Sequence, residues 1–93
     1  MAYIFEWDPR KATENLLKHG VSFREALTVF GDPLSILLID PSHESSERRY
    51  LLLGESNRGR LLVVAHADRP PRTRIISART PTRREQQTYE EES

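Results

Sequence analysis

A chain of 93 residues is the length of one domain, and 30% charged with 37% hydrophobic side chains excludes both a disordered chain and a membrane span. No cysteine is present, which removes disulfides, thiolate catalysis and cysteine-bound zinc together. The fourteen basic and fourteen acidic side chains cancel, so the information in the charge lies in its distribution.

Tyr3 to Trp7 alternates in a way that predicts a short first strand. Asp8-Pro9 then predicts a helix start, with Asp8 as N-cap and Pro9 at the first helical position, where its missing N–H costs nothing. Ala12 and Leu16, four apart, are expected to face the core, with Lys11, Glu14, Asn15 and Lys18 largely exposed; Gly20 is expected to stop the helix in the left-handed conformation. Ser22-Phe23-Arg24-Glu25 is a capping box that opens a second helix, whose stripe of Phe23, Ala26, Leu27 and Phe30 has the spacing of one buried face. Gly31-Asp32-Pro33 ends it. The period then changes to that of strands at Ser35 to Ile39, Arg49 to Leu53, Arg60 to Ala67 and Arg74 to Ala78, with a turn expected from Asp68 to Thr73. The short connections favour antiparallel neighbours, and the leucine- and valine-rich third strand of these four is expected to be central. Thr82-Arg83-Arg84-Glu85 is a second capping box, opening a last helix to about Glu91 with little apolar to bury except Tyr89. With no repeat or linker, residues 1–93 read as a single α+β domain: two N-terminal helices, a four- to five-stranded antiparallel sheet and a C-terminal helix.

Between Arg58 and Arg84 lie eight arginines against one acid, Asp68, a local charge of +7. Guanidinium binds phosphate oxygens through paired hydrogen bonds and stays charged at physiological pH, so a strip of this kind suits RNA or DNA. Equally, arginines can flank apolar strands and keep sheet edges soluble. His19, His43 and His66 do not pair at ligand spacing on one element, so neither a metal nor another cofactor is expected. With no N-terminal signal pattern, the expected location is the cytoplasm.

The chain resembles the BrnT family of bacterial type II toxins, small ribonucleases with a RelE-like fold. The residues that carry the resemblance are Phe5-Glu6-Trp7-Asp8-Pro9-Arg10-Lys11-Ala12 and Asn15 to Ala26, then Phe30-Gly31-Asp32-Pro33 and Glu47-Arg48. It continues in Gly59 to Val64, Arg74-Ile75-Ile76-Ser77-Ala78-Arg79, Thr82-Arg83-Arg84-Glu85 and Tyr89. The chain departs from the family pattern in Asp40 to Glu47, in the proline-rich Arg69-Pro70-Pro71-Arg72, and at Thr80-Pro81, where the family has lysine-alanine. The resemblance implies an endoribonuclease that arrests translation and growth, held by a cognate BrnA-like antitoxin whose DNA-binding part brings the complex to its own operator. No membrane partner is implied.

Metal-free RNA cleavage by the ribose 2′-oxygen needs a proton acceptor, a cation for the crowded phosphorane and a proton donor for the leaving 5′-oxygen. Arg60, Arg74 and Arg79 are the candidates for the cation, because they sit at strand ends or on strands that the resemblance places in the sheet; each can instead pair with an acid. His66 is a candidate acid or base, or an edge histidine near a turn. His19, in the last turn of the first helix, and Tyr89 are further candidates; the alternatives are a helix stop and the anchor of a polar helix. Arg58, Arg72, Arg83 and Arg84 are candidate RNA contacts. Glu85 reads as a helix cap first and a base second, and His43 as a solvated turn residue. The alternative function is a non-catalytic module that binds nucleic acid or a DNA-binding partner.

Overall fold

The computed structural model describes residues 3–40 and 48–92, so the turn expected at His43 lies outside the described residues. The elements in order are β1 (Phe5–Glu6), α1 (Pro9–His19), α2 (Phe23–Thr28), a 3₁₀ turn (Val29–Gly31), β2 (Ile36–Ile39), β3 (Arg49–Glu55), β4 (Leu61–Arg69), β5 (Arg72–Arg79) and α3 (Arg83–Glu92). The helix signals act as the sequence predicts, except that the Glu25 carboxylate turns to Arg60 and Ser56 and leaves the first capping box one-sided. The Asp8 carboxylate accepts from the Arg10 N–H, the Ser22 hydroxyl from the Glu25 N–H, and Gly20 closes α1 at φ 70. At α3, Glu85 accepts from the Thr82 N–H while the Thr82 hydroxyl accepts from the Glu85 N–H, the reciprocal pair of a capping box.

The five strands form one sheet in the order β1-β5-β4-β3-β2. β4 is central, as its apolar density requires, and pairs antiparallel with β3 and β5. The sheet is mixed rather than antiparallel, because β1 lies parallel to β5 with Phe5 opposite Thr73 and Glu6 opposite Arg74. The physical reason is the helix pair: α1 and α2 separate β1 from the rest of the sheet and return the chain in a direction that short turns alone would not give. The expected turn from Asp68 to Thr73 contracts to Pro70-Pro71, since β4 runs on to Arg69 and β5 starts at Arg72.

Side chains alternate between faces, and the register says which ones share a face. Leu52, Leu62, Val64, Ile75 and Ala78 face α1 and α2 and join Val21, Phe23, Ala26 and Val29 in the core, with Phe5, Trp7, Ala12 and Phe30 against it. Leu16 is half exposed, against expectation, and Asn15 is buried in its place. Its amide donates to the Val21 and Ala78 carbonyls at 2.9 and 2.8 Å and accepts from the Ala78 N–H at 3.1 Å, tying α1 to β5. Gly54 lets β3 approach the 3₁₀ turn closely: a Cβ there would lie 2.9 Å from Val29 Cγ1.

At one end of the sheet α3 is held by side chains. Arg79, which shares a row with Val63 on the face away from α1 and α2, makes a two-pronged pair with Glu85 at 2.8 and 2.9 Å. The Tyr89 hydroxyl donates to Asp32 Oδ2 at 2.7 Å.

Candidate functional site

The candidate residues divide between the two ends of the sheet. At the end of the β3–β4 turn lie Arg58, Arg60, Arg79, Arg83, Arg84, His19 and Tyr89; at the end of the β4–β5 turn lie Arg72, Arg74 and His66. β4, nine residues long, separates the ends by roughly 30 Å. Arg60 turns to Glu25 on α2, and Arg79, opposite Val63, lies roughly 13 Å along β4 from Arg74, opposite Ala67.

At the first end Arg60 and Arg79 are engaged by carboxylates of the fold. Arg60 clamps Glu25 through Nε and Nη2 at 2.8 and 2.6 Å and donates to the Gly20 carbonyl at 3.0 Å. This clamp, with a 2.7 Å hydrogen bond from Ser56, outweighs burial and holds the Glu25 carboxyl below its ordinary range. Arg58, in the exposed turn, is 3.8 Å from the same carboxylate. The Arg79 pair likewise holds Glu85 down, at about 2, which makes it a poor proton acceptor at neutral pH. Arg83 and Arg84 are exposed on the first turn of α3. His19 is half-buried at the end of α1. The hydrogen bond to Asp32 comes first in raising the Tyr89 phenol to about 12, with burial second, so Tyr89 anchors its helix as a proton donor. At Asp32 burial raises the carboxyl, but donors from the Glu55 N–H, Tyr89 and the Leu34 N–H together bring it down.

The other end joins Arg69, Arg72 and Arg74 of the strip to two cations outside it, Arg49 and Lys11. Because only Pro70-Pro71 separates the strands, Arg69 lies opposite Arg72 and Ala67 opposite Arg74, and Ala67 in turn lies opposite Arg49. Alternation puts Arg49, Arg69, Arg72 and Arg74 on the face away from α1 and α2. Arg49, Arg69 and Arg74 line a cleft of about 160 Å³ with Asp8 and Lys11, over Ile75 and Ile76. Glu6, beside Arg74 in the parallel β1–β5 pairing, is 3.7 Å from Arg72 Nε and 3.9 Å from Arg74 Nε. Arg49, Lys11 and Glu6 belong to separate stretches of sequence, and the sheet register together with the packing of α1 on β5 brings them together. The signal available in the sequence was the alternation of Arg72 with Arg74 and the shortness of the diproline turn.

His66 is no edge histidine: it sits in the central strand, 6% exposed, between Phe30 and Tyr50 at ring-centroid distances of 4.9 and 5.7 Å. Burial pushes its imidazole below the ordinary range, with the Val64 carbonyl and the Asp68 charge acting weakly the other way, so it is neutral at physiological pH. It faces the helix side of the sheet, opposite to the arginine cleft. Among the described residues, no group of three or more His, Cys, Asp or Glu could hold a metal ion, and no helix is long and apolar enough to cross a membrane.

The sequence model of one protein family, described as the ribonuclease toxin BrnT of type II toxin-antitoxin systems, matches residues 7–85. No curated protein matches the chain.

Proposed function

From the chain's membership of the BrnT family of ribonuclease toxins, which belong to type II toxin-antitoxin systems, we propose that it is a metal-independent endoribonuclease working at the arginine cleft. The observation that carries this reading is the convergence of Arg49, Arg69 and Arg74 from the sheet with Lys11 from the first turn of α1 around one recess. Guanidinium groups at that spacing grip the phosphate being cut and stabilise its extra negative charge as the 2′-oxygen attacks. Glu6, flanked by Arg72 and Arg74, is the carboxylate positioned to take the 2′-hydroxyl proton. Lys11 supplies a proton to the leaving 5′-oxygen. A neutral His66 on the opposite face takes no part in this transfer. The product chain then ends in a 2′,3′-cyclic phosphate, and loss of cut RNA arrests translation and growth. A cognate antitoxin covering the same basic surface neutralises the toxin, and its DNA-binding part carries the pair to the operator. We propose a RelE-like fold and a cytoplasmic location on the same grounds.

The experiment is cleavage of a 5′-labelled RNA in the presence of a chelator, beside growth after induction of this chain in bacteria. Arg74→Ala lowers the cutting rate by about 100-fold while the protein stays folded, the scale expected for one lost transition-state contact. Full activity in Arg74→Ala would move the site away from the cleft. Intact RNA with folded wild-type protein that still binds it would make the chain a binding module instead.

A further inference from the structure

A second recess, of about 400 Å³, opens on the helix side at the same end of the sheet. Its walls are the rings of Tyr3, Phe30, Tyr50 and His66 together with Leu37, Leu52 and Ser35, and Asp68 and Thr73, opposite each other on β4 and β5, add a carboxylate and a hydroxyl. The register explains the grouping: Tyr50 pairs with His66 across β3 and β4, and Asp68 follows two residues after His66 on the same face. Tyr50 and His66 lie stacked at 29°, and Tyr3 stacks on Phe5. Tyr3 is 53% exposed.

This chemistry differs from that of an apolar groove for a protein side chain. The recess has a volume in the range of small-molecule sites, π faces on several sides and a few polar groups, which fits a flat aromatic ring carrying N–H groups at its edge. The Asp68 carboxylate repels phosphate, so what enters is the base of a nucleotide and not its backbone. The row of Tyr50 and His66 adjoins the row of Arg49 and Arg74, which points to the other face. One strand passing around this end of the sheet can thus present its backbone to the arginines and an unstacked base to the rings. His66 Nδ1 lies 3.4 Å from the Val64 carbonyl oxygen; a proton there leaves Nε2 as an acceptor.

We infer that this recess is a base-reading subsite that holds an unpaired RNA base bearing an exocyclic amino group, stacked on Tyr50 and donating to Asp68. The inference rests on the ribonuclease reading for its role in cleavage, and its ligand can be tested without any cleavage. Uncharged nucleosides, which the arginine cleft does not hold, are titrated into the full chain while the ring signals of Tyr50 and His66 are followed by NMR. Adenosine and cytidine shift both rings, and uridine, which lacks the amino group, needs about tenfold more to do so. Tyr50→Leu weakens adenosine by tenfold or more, the scale of one lost stacking contact. Asp68→Asn, an exposed and structurally mild change, removes the difference between adenosine and uridine. In RNA it also narrows the spread of cutting rates between sites that differ only in amino-bearing base against uracil.

No shift at either ring with any nucleoside, or adenosine binding that survives Tyr50→Leu, overturns the subsite and leaves the ribonuclease reading standing. Shifts that disappear in Tyr50→Leu, alongside RNA that stays intact, keep the base pocket and remove its role in cleavage.

Discussion

Asn15 shows how much one buried polar side chain can be asked to hold. Its three hydrogen bonds satisfy the Val21 carbonyl, in the link between α1 and α2, and the Ala78 carbonyl and N–H of β5. Asn15→Leu leaves those groups buried without partners, and we expect a loss of about 2 to 4 kcal/mol in chemical denaturation. The sequence does not disclose this residue, because an asparagine beside a helical stripe reads as surface and only the position of β5 gives it a purpose. Leu16 was the natural core choice and lost the position to it. His66 sets a second expectation. With its folded pKa below the unfolded value of 6.5, the unfolded chain binds the proton first, so the contribution is intact above pH 6.5 and declines as the pH falls below it. Stability measured against pH then has a downward slope on that side of at most about 1.4 kcal/mol per pH unit from this group. His66→Gln removes that component of the slope, and an unchanged slope would mean that burial does not govern the ring.

Among the elements, α3 depends most on specific side chains. Its sequence, Arg83 to Glu92, has little to bury, and an isolated helix of this length is marginal in water. What fixes it is the capping pair, the Arg79–Glu85 clamp and the Tyr89–Asp32 hydrogen bond. Tyr89→Phe removes only the last, and we expect about 1 kcal/mol of lost stability together with faster amide exchange confined to α3. Exchange that rises equally throughout the sheet would contradict local anchoring. The elements themselves were legible where local chemistry decides them: Asp8-Pro9, Gly20, the Thr82–Glu85 capping box and the apolar run of β4 act as read, while the Ser22–Glu25 box forms only its Ser22 half because Arg60 and Ser56 take the Glu25 carboxylate. The parallel placement of β1 was not legible, since two strand residues carry no direction and the partner lies at the other end of the chain.

For the whole molecule, the balance of charge conceals a division of labour. The arginine-rich stretch is one strip in sequence, yet folding splits it between an end where Arg60 and Arg79 are engaged by Glu25 and Glu85, and an end where Arg72 and Arg74 join Arg49 and Arg69. Counting arginines therefore does not delimit the cleft, because register, and not sequence proximity, selects its members. Binding of a non-cleavable 2′-O-methyl RNA should weaken with added salt. Arg74→Ala should reduce the log–log slope by about 0.7 for the phosphate contact removed, and Arg79→Ala should leave it unchanged. Equal slopes for wild type and Arg74→Ala would argue against a phosphate in the cleft.

The pairing of Phe5 with Thr73 also bears on when the molecule becomes dangerous to the cell that makes it. At translation rates of about 5 to 20 residues per second, the first strand waits roughly 3 to 14 s for its partner to be synthesised. Glu6 reaches Arg74, and Tyr3 shares a recess with Thr73, only once β5 exists. A nascent chain on the ribosome thus holds neither recess in finished form, and a partner protein that binds either one meets its target only when synthesis is nearly over.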